Sequence, residues 1–139
     1  MEEDDFSQCL ILNTRMAARA VTRRANRKLR GFDVTATQFS ILTAARQRPS
    51  RSITEIAESI AMERTTLSRN LDLLARKGLV QLSGAAKGNG RLCSLTSEGQ
   101  SLLDRLVPIW RASQVELRER LTQPDWPSTL KALQALASL

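Results

Sequence analysis

Histidine and tyrosine are both absent from the 139-residue chain. Their absence removes the commonest general base, the commonest transition-metal ligand and one usual general acid. Without them no nucleophile, base and orienting group assemble into a catalytic set, so no catalytic residues are expected and an enzyme is the remotest reading. Cysteine is scarce: Cys9 and Cys93 stand far apart and fit neither a disulfide framework nor a zinc-ligand spacing. Both read as free thiols, with no metal site and no cofactor expected. Long apolar runs are lacking as well. The longest is Cys9–Leu12, and Met1–Asp5 is acidic where an export signal is basic, which points to a cytoplasmic protein with no membrane span.

What the chain has is basic charge, unevenly placed. Lys and Arg number 21 against 14 acids, a formal charge of +7. Residues 2–5 are all acidic, yet from Phe6 to Phe32 there is no acid, only Arg15, Arg19, Arg23, Arg24, Arg27, Lys28 and Arg30. Such an excess favours a polyanionic partner, because each phosphate neutralised by Lys or Arg releases condensed counterions. The competing reading is a solvated face of a basic protein. Hydrophobic residues make up 42%, enough for a buried core and too many for a disordered chain.

Apolar spacing predicts a mainly helical order. Phe6, Leu10, Ala17, Val21, Ala25 and Leu29 mark a long amphipathic helix from Phe6 to about Leu29, ended by Gly31. Thr35 or Thr37 caps a second helix carrying Phe39 and Leu42, stopped by Pro49. Ser52–Glu55 reads as a capping box ahead of a short third helix with Ile53, Ile56, Ala57 and Ile60. After a break at Ala61–Glu63, a fourth helix runs on a Leu67, Leu71, Leu74 stripe to about Lys77 and the natural left-handed cap Gly78. Its opposite face carries Arg64, Thr65, Ser68, Arg69 and Asp72.

The period then shortens. Leu79–Leu82 and Arg91–Leu95 read as two strands of a hairpin around a glycine-rich loop at 84–90. Thr96 caps a long fifth helix kinked at Pro108, and a last helix shows Leu130, Leu133 and Leu136. This order is that of a winged helix-turn-helix, mainly α with a small β-hairpin wing, flanked by terminal helices. A compact core of three helices and a hairpin cannot cover the apolar stripes of those terminal helices. Dimerisation is the simplest solution: an N-terminal dimerisation helix at 1–32, the winged helix-turn-helix region at 33–97 and C-terminal dimerisation helices at 98–139, forming one intertwined domain. Met16, Trp110 and Trp126 sit at helical spacing and read as core or dimer contacts before ligand contacts.

These residues resemble the MarR family of bacterial transcriptional regulators over nearly the whole chain, from Cys9 to about Leu121. The matching stretches are RMAARAVTRR at Arg15–Arg24, TQFSIL at Thr37–Leu42, SITEIAE at Ser52–Glu58, MERTTLSRNLDLLARKGLV at Met62–Val80 and SLTSEG at Ser94–Gly99. The resemblance implies a two-fold homodimer that binds a pseudo-palindromic operator in double-stranded DNA, and many members are repressors released by a small ligand. It also implies that the helix 64–77 reads the major groove. The residue chemistry agrees: Arg64, Thr65, Thr66, Ser68, Arg69 and Asn70 offer guanidinium forks, hydroxyls and an amide suited to base edges and phosphates.

The wing departs from the family. Members carry Asp-Arg-Arg there, whose arginine enters the minor groove, and the equivalent positions here are Lys87, Gly88 and Asn89. Lys87 and the nearby Arg91 remain as wing contacts, but an ammonium lacks the planar fork of guanidinium. Two alternatives therefore stand beside the ligand-released repressor: a winged-helix dimer with weakened DNA binding that acts through protein partners, and a peroxide-sensing repressor using Cys9, which falls where the thiol-sensing branch of the family places its reactive cysteine. Against the second stands the lack of any tyrosine to hydrogen-bond a thiolate. The Arg15–Arg30 stripe has its own alternatives: a lining for an anionic or aromatic effector, long-range attraction toward phosphates, or a solvated face.

Overall fold

The computed structural model describes residues 3–48, 50–84 and 91–139. They fall into two compact units, Met1–Thr37 and Gln38–Leu139. Among the described residues no helix is long and apolar enough to cross a membrane.

The first unit opens differently from the expected continuous helix. The Asp5 carboxylate accepts from the Ser7 amide at 3.0 Å and the Ser7 hydroxyl at 2.6 Å, and this local turn draws Phe6–Gln8 into a single 3-10 turn. Cys9 is extended, with φ −65° and ψ 122°, so the α-helix α1 starts only at Leu10 and runs to Lys28. Its stripe is largely uncovered: Phe6, Leu10 and Val21 are exposed, and Leu29 beyond its end is buried. Gly31 takes φ +97°, the left-handed conformation a helix end favours. Asn26 Oδ1 then accepts from the Ala36 amide at 2.7 Å, satisfying one of the orphan donors at the start of α2 (Ala36–Gln47).

The rest of α2 belongs to the second unit, with β1 (Arg51–Ser52), α3 (Ile53–Ser59), α4 (Arg64–Arg76), β2 (Val80–Ser83), β3 (Leu92–Leu95), α5 (Ser97–Arg120) and α6 (Trp126–Ala137). Its core is made by the inward stripes of these helices: Ile41, Leu42, Ile56, Leu67, Leu71, Leu74, Leu103 and Leu106 are fully buried, with Cys93 beside them from the central strand. The sheet has three strands in the order β1-β3-β2, all antiparallel, where the sequence pattern gave two. β1 contributes only Arg51 and Ser52, opposite Cys93 and Leu92, and two residues are too few to leave an alternation.

The caps follow sequence chemistry with one change. Ser52 Oγ accepts from the Glu55 amide at 3.1 Å, but the Glu55 carboxylate returns to the Ser52 hydroxyl at 3.1 Å, where a full capping box predicts the Ser52 backbone amide. Thr96 caps α5 by accepting from the Gly99 amide, and Asp125 caps α6 by accepting from the Ser128 amide at 2.9 Å. α5 continues as one helix through Pro108, which lacks the amide that would bond the Asp104 carbonyl.

Candidate nucleic-acid interface

The site begins with the turn ahead of α4. Ala61 is held at φ +50°, and the Ala61 and Met62 amides fold back on the Glu58 and Ala57 carbonyls at 3.3 and 2.9 Å. This tight reversal sets α4 off from α3 and leaves Glu63 as an N-cap without a side-chain bond. The first amides of α4 therefore face outward unsatisfied by any cap, a partial positive charge suited to an anion.

At 100° per residue, Leu67, Leu71 and Leu74 form the buried side of α4, and Thr65, Arg69, Asp72 and Arg76 lie opposite it. Thr66 and Leu73 flank that outer face, both exposed. Arg64 projects from the first turn and is exposed too. Among the described residues no carboxylate pairs with Arg64 or Arg69, so both guanidinium forks stand in water at the end of the helix where the amides are also free. Anchored below by three fully buried leucines, these groups are pre-positioned on a rigid element.

Two of the expected contact residues are turned elsewhere. Asn70 is half-buried: its Nδ2 donates to the Thr66 carbonyl at 2.9 Å, and its Oδ1 accepts from Gln38 Nε2 at 3.5 Å. Its amide joins α4 to α2 and does not lie on the outer face. Ser68 is half-buried at the edge of that face. Gln38, the single buried polar residue of the described core, escaped the sequence reading because an amide on an apolar stripe carries no partner signal.

Arg91 stands at the root of the wing, its carbonyl accepting from the Ile53 amide at 3.1 Å. Its Nη2 is 3.8 Å from Asp72 Oδ1, across the gap between the wing and the outer face of α4. The carboxylate side is 53% exposed, so this pair is worth under about 1 kcal/mol and exchanges readily for another anion. Asp72 was legible as a member of the outer face; its pairing with Arg91 was not, since nothing local links a helix to a later strand. Lys87 lies outside the described residues.

The thiols differ. Cys93 is fully buried on β3, and desolvation pushes its pKa up to about 11. Such a thiol stays protonated and unreactive at neutral pH. Cys9 is half-buried at the start of α1. In the first unit Arg15, Arg19, Arg23, Arg27 and Arg30 are exposed. Met16 and Trp110, read as core or dimer contacts, are about half exposed, whereas Trp126 is half-buried under the Arg118 guanidinium, 5.3 Å from its ring centroid.

A family model described as MarR family matches residues 34–83. Among solved structures, the chain is similar to the M. tuberculosis transcriptional regulator MosR in complex with DNA, with 34% identity over 94% of this chain and 95% of that one and a TM-score of 0.84. It is similar to a mutant E. coli MarR complexed with operator DNA, with 26% identity over 96% and 97% of the two chains and a TM-score of 0.78. Bordetella bronchiseptica BpsR, whose DNA binding is regulated by 6-hydroxynicotinic acid, shares the fold at 19% identity over 99% and 100% of the chains, with a TM-score of 0.87. No curated protein matches the chain.

Proposed function

Because the chain belongs to the MarR family of transcriptional regulators, we propose that it is a homodimeric, operator-binding regulator, a repressor released by a small anionic or aromatic effector, which reads DNA without enzymatic chemistry. One observation carries the reading: α4 presents Thr65 and Arg69 on its outer face, Thr66 beside it and Arg64 from its exposed first turn, with neither arginine neutralised by a described carboxylate, on a helix fixed from below by Leu67, Leu71 and Leu74. Such a face enters a major groove, where a bidentate arginine discriminates guanine by about 1–3 kcal/mol. Ser68 serves phosphate at the edge of the face. Asn70 acts through the helix by tying it to Gln38. Arg91 and Lys87 supply the wing contacts, with Arg91 in the place of a reaching wing arginine.

The dimer follows from uncovered apolar surface. The first unit exposes Phe6, Leu10, Ile11 and Val21, and the second exposes Trp110 and Val115 on α5 and Leu130 and Leu133 on α6. A second copy covers such faces at residues 1–32 and 98–139, leaving 33–97 to carry the DNA contacts, and a regulator of this kind works in the cytoplasm. Family membership favours this reading over action through protein partners or peroxide sensing at Cys9.

The test is binding to a labelled duplex from just upstream of the protein's own gene beside a shuffled duplex of equal length, across a salt series. Shuffled DNA is expected to bind with a Kd of about 10⁻⁴–10⁻⁶ M near physiological salt, and the native duplex at about 10⁻⁸ M or tighter. Arg69→Ala is expected to cut the difference between the two by about fivefold or more, in keeping with the loss of about 1–3 kcal/mol from one bidentate contact. An Arg69→Ala protein with unchanged preference for the native duplex removes α4 as the reading element.

A further inference from the structure

One hydroxyl closes the end of α4 and the start of α5 together. Thr96 Oγ1 donates to the Gly78 carbonyl at 2.5 Å and accepts from the Gly99 amide at 3.1 Å. The Thr96 amide donates to the Leu79 carbonyl at 3.1 Å. Gly78 and Leu79 are themselves the C-terminal closure of α4: their amides bond the Ala75 and Leu74 carbonyls, each at 3.0 Å, with Gly78 at φ +76°. The carbonyl end of α4 thus meets the amide end of α5, a favourable apposition of helix dipoles. The approach is close enough to exclude a methyl group: a Cβ on Gly99 would lie 2.1 Å from the Leu79 carbonyl oxygen and 3.1 Å from its carbon.

We propose that this joint, Thr96 and Gly99 against Gly78 and Leu79, sets the angle of α4 on α5 and thereby selects the half-site spacing that the dimer accepts. The inference rests on the reading of the chain as a dimeric operator binder. α5 and α6 carry the exposed Trp110, Val115, Leu130 and Leu133, so a dimer that covers them holds α5 fixed. Leu67, Leu71 and Leu74 hold α4 on the core and the joint fixes its C-terminal end relative to α5, while the residues that reach DNA sit at its other end. α4 has 13 residues and a length of about 20 Å, so a rotation of about 10° at the joint carries Arg64 and Thr65 through roughly 3.4 Å, one base-pair step. Half-sites repeat with the turn of the duplex, so two helices displaced in this way by the two-fold axis fit a different spacing. Thr96 and Gly99 are positioning residues in this account and touch no base.

The test uses the full-length protein and a duplex that the wild type selects from a randomised library, rebuilt with its half-sites one and two base pairs closer and farther apart. Affinities are compared for wild type, Thr96→Ser, Thr96→Val and Gly99→Ala, with a random duplex as reference. The wild type is expected to favour one spacing by about tenfold or more over its neighbours, and Thr96→Ser, which keeps the hydroxyl, to do the same. Thr96→Val and Gly99→Ala are expected to move the optimum or to reduce the preference to within about threefold, with random-duplex affinity unchanged. If Gly99→Ala does not fold, Thr96→Val against Thr96→Ser decides. A variant set that keeps the wild-type profile, or loses the same factor at every spacing, overturns the proposal. A wild type that binds every duplex equally removes the operator-binding reading itself, and this inference with it.

Discussion

Raising the pH from 8 to 10 ionises the Cys93 thiol in the unfolded chain but not in the folded one, because the side chain is fully buried and its pKa is pushed from the ordinary 9.0 up to about 11 by desolvation. The folded state then holds a proton that the unfolded state releases. Stability from this source is fully present below pH 9 and is lost as the pH climbs toward 11. At pH 10 the loss is about 1.4 kcal/mol, and above pH 11 it levels off at roughly 2.7 kcal/mol. The chain has no tyrosine to titrate in this window, and comparison with a variant that lacks only the Cys93 thiol removes the contribution of the lysines and of Cys9. Urea unfolding of the wild type and of Cys93→Val at pH 8 and pH 10 measures the effect. Valine fills the same apolar position without an ionisable group, so the alkaline loss is expected to shrink in the variant by about 1.4 kcal/mol. If both proteins lose equal stability between the two pH values, Cys93 is not the group responsible and its burial is less complete than the structure has it.

Three further outcomes follow from particular residues. Ala61 pays for a left-handed conformation at φ +50° that costs an L-residue about 1–2 kcal/mol, so Ala61→Gly is expected to raise unfolding stability by about 0.5–1 kcal/mol after the entropy of glycine is counted; a less stable variant would mean that the alanine methyl packs usefully. Asp72→Asn removes the carboxylate that faces Arg91 on the outer side of α4, and is expected to tighten binding to native and shuffled duplexes alike while steepening the salt slope by about 0.9, one phosphate contact; weaker binding would show that Asp72 orients Arg91 toward the duplex. Leu133→Glu places a charge on the exposed apolar side of α6 and is expected to shift the protein toward monomer in sedimentation at micromolar concentration; an unaltered dimer would take α6 out of the interface.

Much of the fold is legible in the sequence where the signal is local. Ser52 and Thr96 each bond an amide three residues on, and Gly78 takes the left-handed cap expected of it. The Leu67, Leu71 and Leu74 stripe is buried as its period requires. The failures have local causes too. Asp5 captures Ser7 and delays the first α-helix to Leu10, a competition between side-chain and backbone bonds that helical periodicity does not register. β1 is two residues long and exists only because β3 lies beside it.

The candidate interface divides the same way. Thr65 and Arg69 are placed outward, with Thr66 beside them, by the same periodicity that buries the leucines, whereas Arg64 is exposed because it opens the helix. Asn70 is a base-reading amide by type, but it falls about 60° from Leu67 on the helix, beside the buried stripe, and its partner Gln38 comes from another helix.

By itself the sequence determined the helical periods, the caps, the wing and the excess of basic charge, because each depends on residues a few positions apart whose spacing is imposed by backbone geometry. Tertiary structure alone decided that Arg91 meets Asp72, that Cys93 is desolvated, and that Thr96 and Gly99 seat α5 against the end of α4. Those facts depend on which surfaces come together when the core closes, and packing over long sequence separations leaves no period to read.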